Sequence, residues 1–283
     1  MKVYIGQAGV PISCKKRDTL SGIECTHELG LNLMEIQFVR RVGMKEEVME
    51  QIREKAEELG VRLSIHAPYY INLASERKEV IKRSIEEWIF NSAKIGDKIG
   101  AKWIVFHPAA YGKRSPEETF DLVVKNLKKA LEKIRKFKVY LCPETTGKKG
   151  QFGSFSEILK LVKRIKHPKL LFCLDFAHMH AREGGWFYSK KDYSKIFERI
   201  EKELGEKYLK TLHIHFSCIK YTERGEKEHL ELKAKEPDFS KFAEALKEWE
   251  AEIEEINIVS ESPILEKDAI KMKKILKRKG IIK

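Results

Sequence analysis

Six short apolar runs in this chain carry, at or near their ends, a residue able to bind a metal ion: His66, His107, Glu144, Asp175, His213 and Glu261. A charged side chain is expensive in such a run, because an unpaired buried carboxylate costs several kcal/mol or is forced neutral. A metal ion removes that cost. Imidazole nitrogen mixed with carboxylate oxygen suits zinc, manganese or iron, whereas an all-oxygen set would point to magnesium or calcium. One histidine at a strand end is more often a hydrogen-bonded structural residue, so the weight lies in six recurring in phase. His178, three residues after Asp175, and His229 add two further candidate ligands. Glu144, Asp175 and Glu261 are the carboxylates placed to act catalytically, since each can orient a reacting water as well as hold metal.

Residues this far apart in sequence meet only if the elements bearing them converge. The chain alternates apolar runs with long charge-rich amphipathic segments, the βαβα rhythm of a parallel sheet covered by helices. Eight strands are predicted, near Val3–Gln7, Leu33–Phe38, Arg62–His66, Trp103–His107, Val139–Glu144, Leu170–Asp175, Thr211–Phe216 and Ile256–Glu261. Helical periodicity fills Glu46–Leu59, Glu76–Ile99, Pro116–Phe137, Ser156–Arg164, Lys191–Leu204, Phe239–Glu250 and Glu266–Lys279. A first helix between Gly9 and Gly30 is poorly specified. Gly60 and Gly100 fit left-handed helix C-caps, and Ser115-Pro116-Glu117-Glu118 reads as an N-cap with proline at the first helical position. Eight β units in 283 residues with no Pro/Gly/Ser-rich divider predict an α/β protein with one (β/α)8 TIM-barrel domain over 1–283. An open doubly wound sheet is the competing arrangement. In a barrel the C-terminal strand ends share one face, which would gather the six residues into one pocket.

The segments His66-Ala-Pro-Tyr-Tyr-Ile-Asn-Leu-Ala, Phe106-His107-Pro, Pro143-Glu144-Thr-Thr-Gly, Leu174-Asp175-Phe-Ala-His178, His213-Ile-His215 and Ser260-Glu261-Ser-Pro resemble the motifs of the endonuclease IV family, in the same order and across nearly the whole barrel. That family shares its architecture with xylose-isomerase-like sugar isomerases. The resemblance implies a (β/α)8 fold, a cluster of two or three zinc ions, with manganese as the alternative, and cleavage of DNA on the 5′ side of abasic sites. It implies that His66, His107 and Glu144 hold a first metal, that Glu144 bridges to a second held by Asp175, His213 and Glu261, and that His178 and His229 hold a third. His213 is preferred over His215 because it matches the first position of the family's His-Leu-Asn-Asp segment, although both alternate onto one strand face. The pattern breaks at the third metal: the family has Asp two residues before the ligand matched by His229, and this chain has Lys227 there, between Glu226 and Glu228. Tyr69 matches an aromatic that contacts the damaged strand, with Tyr70 beside it, and Arg40 and Arg41 follow the second strand where a duplex would be entered. Tyr69 as rim packing is an equal reading, and for the arginines the solvated reading is favoured.

Fifty-six Lys and Arg against 43 Asp and Glu leave +13, and a pI near 9.3 suits a polyanionic partner such as nucleic acid. Runs such as Lys125-Asn-Leu-Lys-Lys and the basic stretch from Lys271 to Lys279 are better read as solvated helix faces. Five cysteines form no C-x-x-C pair, so neither disulfide nor zinc finger is expected. Gly147, Gly150 and Gly153, with Lys148 and Lys149, could cradle a phosphate, yet their spacing fits no phosphate-loop pattern and a tight turn is the simpler reading. No apolar stretch is long enough to span a bilayer, and the expectation is a cytoplasmic monomer without membrane contact. Three functions remain open at this level: an abasic-site endonuclease, a metal-dependent sugar or sugar-phosphate isomerase or epimerase, and a damaged-DNA-binding homologue with little catalysis.

Overall fold

The computed structural model describes residues 1–39 and 41–283, so the candidate Arg40 lies outside the described residues. The apolar runs form strands β1 (Lys2–Ala8), β2 (Leu33–Gln37), β3 (Arg62–His66), β4 (Trp103–Phe106), β5 (Tyr140–Pro143), β6 (Cys173–Asp175), β7 (Thr211–Phe216) and β8 (Glu255–Ser260). All pair in parallel, in the order β5-β4-β3-β2-β1-β8-β7-β6. Parallel bridges Leu141–Leu170 and Glu144–Cys173 join the two ends, so the sheet closes into a TIM barrel and the open-sheet alternative falls away. Each predicted strand is found, with ends shifted by up to three residues.

Helices cover the barrel as α1 (Thr19–Glu28), α2 (Glu46–Leu59), α3 (78–99), α4 (Pro116–Lys133), α5 (Phe155–Ile165), α6 (Phe176–Arg182), α7 (Lys190–Leu204), α8 (Phe239–Glu248) and α9 (Glu266–Arg278). Helix α2 turns Met49, Ile52 and Ala56 inward and ends on Gly60 at φ 64°, and Gly100 ends α3 at φ 76°, as the sequence predicts. Ser115 and Glu118 form a reciprocal capping box with Pro116 between them. Helix α3 contains a π segment, Ser84–Ile89. There Ser84 Oγ donates to Val80 O and accepts from Asn72 N, which ties the loop after β3 to the helix behind it.

Three features were not legible in the sequence. The short helix α6 follows β6 directly, with Asp175 as its N-cap. After β7 the chain makes an antiparallel hairpin, Cys218–Thr222 with Gly225–Leu230, which leans over the barrel mouth. The expectation of no disulfide is corrected: Cys14 and Cys25 are joined, with Cα atoms 5.8 Å apart. The loop after β1 folds back along α1, and that approach depends on the one helix the periodicity left undefined. The other three cysteines are free and buried.

Candidate metal centre

Inside the barrel, alternate residues of each strand point to the axis and so form layers. In the lower layer the Arg62 guanidinium stacks 3.4 Å from the Tyr4 ring centroid and donates to Asn257 Oδ1 at 2.9 Å. Above it Glu35, Ser64, Trp103 and His213 share a level. The mouth holds His66, His107, Glu144, Asp175, His215 and Glu261, so five of the six strand-end residues do converge.

Glu144, fully buried just past β5, is the hub. Its Oε2 lies 3.1 Å from both His66 Nε2 and His107 Nε2, and its Oε1 lies 2.9 Å from His215 Nδ1. His215 Nδ1 is also 3.2 Å from Glu261 Oε1. Asp175 caps α6 through Oδ1, which accepts from His178 N at 2.6 Å, while its buried Oδ2 has no hydrogen-bond partner. Donor atoms fall into compact groups, each within 4.8 Å: His66 with His107 and Glu144; Glu144 with Asp175, His215 and Glu261; His178 with His229 and Glu261; and, deeper in the barrel, Cys173 with His213 and His215.

The sixth residue stands elsewhere. His213 and His215 both face the axis but lie two residues apart on β7, about 6.6 Å along the strand. Strand pairing sets Asp175 opposite His215 and Cys173 opposite His213, so His213 falls one layer too deep, stacked on Trp103 with ring centroids 5.7 Å apart. The expectation that His213 joins Asp175 and Glu261 is corrected accordingly: His215 is the histidine grouped with Glu144, Asp175 and Glu261, and the carboxylate beside His213 is Glu35. Motif matching could not separate them, because strand period alone puts both on the same face.

Hydrogen bonding prepares the site for cations. His66 Nδ1 lies 2.8 Å from Ala67 O and His178 Nδ1 lies 3.0 Å from Thr145 O. A carbonyl can only accept, so each Nδ1 carries the hydrogen and each Nε2 is left with its lone pair. At His66 that lone pair faces the Glu144 carboxylate, an arrangement stable only with a proton or a metal ion between them. The electrostatics agree. Burial alone would lower His66, but Glu144 overrides it and raises it to about 9. Burial would likewise lower His178, yet Asp175, Glu226 and Glu144 raise it to about 9. Glu261 is pushed up to about 8 by burial and by the charges of Glu144 and Asp175. Burial would raise Glu144 too, but His215 and His107 hold it well below the usual carboxylate range. Orphaned Asp175 Oδ2, lone pairs opposed across His66 and Glu144, and a nitrogen–oxygen donor set together fit divalent metal.

Glu35, in the middle of β2, is a site residue that the sequence reading missed because it does not end its strand. Its signal was a carboxylate within an apolar run. It accepts from Ser64 Oγ at 2.9 Å and Gln37 Nε2 at 3.0 Å, and it reaches His213 Nε2 at 3.1 Å and His215 Nε2 at 3.0 Å. Burial would raise its pKa, but His215 and His213 keep it ionised. The Glu35 carboxylate thus lies as a charge 3.0 Å below His215 Nε2, without hydrogen-bond alignment, while His215 Nδ1 faces the mouth, so that Glu35 is placed to support His215 as a metal ligand from behind. Glu35→Gln is expected to weaken metal retention by about 10–100-fold, read by competition with a chromogenic chelator; unchanged affinity would remove Glu35 from the site.

At the rim, Tyr69 is 53% exposed, and its hydroxyl donates to Tyr70 Oη at 3.1 Å with ring centroids 4.4 Å apart. Arg41 is exposed on the loop after β2. The glycine loop after β5 does not stand open as a phosphate cradle: Gly147 O accepts from Glu226 N at 3.1 Å and Lys149 N donates to Arg224 O at 3.1 Å, so the loop is bonded to the hairpin. Among the described residues no helix is long and apolar enough to cross a membrane.

The model of the xylose isomerase-like TIM barrel, AP endonuclease 2, matches residues 23–279. An uncharacterised protein of Methanocaldococcus jannaschii is 38% identical over 274 residues, 96% of each chain. A probable endonuclease 4 of Aquifex aeolicus is 29% identical over 179 residues, 62% of this chain and 63% of the relative. Endonuclease IV from Thermus thermophilus superposes with a TM-score of 0.73 at 19% identity, over 97% of this chain and 99% of that one. A D-tagatose 3-epimerase-like protein gives 0.71 at 20% identity, over 97% of each. At such identities the superpositions speak to the fold alone. The family match over most of the sequence and the full-length relative place the chain in the xylose isomerase-like TIM-barrel, or AP endonuclease 2, family.

Proposed function

We propose that this protein is a metal-dependent phosphodiesterase of the endonuclease IV type, cleaving DNA on the 5′ side of abasic sites with two or three zinc ions, or manganese in their place. The observation that carries this reading is that the donor groups are linked: Glu144 belongs to the first and second, and Glu261 to the second and third. A site for one ion has no use for such sharing, whereas phosphate-ester cleavage needs charge neutralised at both the attacking and leaving oxygens. His66, His107 and Glu144 hold the first position, Glu144, Asp175, His215 and Glu261 the second, and His178 and His229 the third. Divalent ions held there would supply a water of lowered pKa and electrostatic stabilisation of the phosphate. Glu144, Asp175 and Glu261 would hold the ions and orient that water. Tyr69 and Tyr70 offer stacking surface at the mouth, Arg41 is exposed on the loop after β2, and the +13 charge favours a polyanion. No membrane partner is required, and a cytoplasmic monomer suffices for the chemistry.

A second reading has its own observation. Glu144, Asp175, His215 and Glu261 are by themselves a complete four-ligand set, as a one-metal sugar or sugar-phosphate isomerase or epimerase would need. The deciding experiment incubates zinc- or manganese-loaded protein with a duplex holding one abasic site. Incision above that of His107→Ala is expected. Equal products from the two proteins would reject the nuclease, and steep salt-dependent binding without incision would indicate a protein that only recognises damage.

A further inference from the structure

Besides Glu261, which it shares with the second position, the third position has two histidines, and where the family pattern supplies a further carboxylate two residues before the second of them this chain has Lys227, which is exposed. We infer that Glu226 supplies the missing donor, brought onto the metal face by a β-bulge at Lys227. The inference rests on reading the cluster as a metal centre.

In a regular strand, residues 225, 227 and 229 share one face and 226 shares the other with 228. The hairpin departs from this. Lys220 pairs with Glu228 and Tyr221 with Glu226, leaving Lys227 as an extra residue with no opposite number. One inserted residue reverses the alternation beyond it. Glu226 therefore points the same way as His229, while Glu228 stays outside. The side chains agree: Glu226 is 16% exposed and its Oε2 lies 3.6 Å from His178 Nε2, whereas Glu228 is 55% exposed and faces Lys220.

The opposing loop is shaped to receive it. A Cβ at Gly147 would lie 2.7 Å from Glu226 Cβ, 2.9 Å from its Oε2 and 3.1 Å from His178 Cδ2, so only glycine leaves room for this carboxylate. Gly225, at φ +95°, lets the hairpin backbone come against Gly147 O, where an added Cβ would sit 2.1 Å away. The bulge and the two glycines explain together why a chain lacking the expected Asp keeps both histidines: a three-residue spacing, Glu-x-x-His, replaces the two-residue one.

The test is metal content by mass spectrometry at buffered free zinc, with folding checked by circular dichroism. Wild type and Glu228→Gln should each hold three ions and Glu226→Gln two. Glu226→Cys loaded with cobalt(II) should add a thiolate-to-cobalt charge-transfer band absent from wild type. Two ions in wild type, three in Glu226→Gln, or no new band in a folded Glu226→Cys would each overturn the assignment. Three ions in a wild type that leaves abasic DNA intact would instead refute the substrate and leave the ligand standing.

Discussion

Glu144→Gln is expected to lower abasic-site incision by about three orders of magnitude and to strip the centre of metal. Glu144 has no exposed surface, and its two oxygens serve different histidines at the mouth, His66 and His107 on one side and His215 on the other. An amide keeps the shape but loses the charge and one of the two acceptors. Both the first and second donor groups then lose a ligand at once. A bound ion contributes several kcal/mol to stabilising charge in a phosphoryl transition state, and about 4 kcal/mol corresponds to roughly a thousandfold in rate. Single-turnover incision and zinc content, measured on the same preparation, check this. A variant that keeps its metal and cuts within tenfold of wild type would mean that Glu144 is not the hub.

The second large effect is on stability and its dependence on pH once metal is removed. In the metal-free protein His66 and His178 are each raised to about 9 from 6.5. A raised folded pKa contributes stability that is complete below the unfolded value and is lost as pH climbs through the folded one. Between pH 6.5 and 9 each histidine should therefore cost the metal-free fold up to about 3 kcal/mol, less than additively because both answer to Glu144. Glu261, raised to about 8 from 4.5, loses its contribution over an overlapping window. Glu144 and Glu35, both lowered, act below about 4.5, and His213 and His229, lowered by burial, act below 6.5; none offsets the loss at higher pH. Metal binding runs the other way, since ligands must shed protons to coordinate. The difference in Tm between zinc-loaded and chelator-treated protein should widen steadily from pH 6.5 to 9. A difference that stays constant would show that protons and metal do not compete for this cluster.

The eight strands, the long helices and their caps were legible because each rests on a local signal: apolar alternation, helical period, a Ser-Pro-Glu-Glu start, a glycine at a helix end. Helix α1 was poorly specified for want of such a signal, and the Cys14–Cys25 link went unseen with it. The hairpin over the mouth was equally hidden. Its Gly-Glu-Lys-Glu-His-Leu strand is charged on both sides, since it packs only at its inner edge.

For the centre itself, residue type and position within the strands were enough to nominate His66, His107, Glu144, Asp175 and Glu261, because a strand end in a closed parallel barrel can point to only one face; His178 and His229 were nominated as histidines of the segments that follow the sixth and seventh strands. Depth inside the barrel is a different quantity, fixed by register between neighbouring strands and invisible in any one of them. That is why only the tertiary structure set His215 rather than His213 beside Glu144 and Glu261, brought Glu35 from mid-strand beneath His215, and turned Glu226 toward His178. A period of two says which side of a strand a residue faces; only its pairing says at what height, and a single bulge can reverse the side as well.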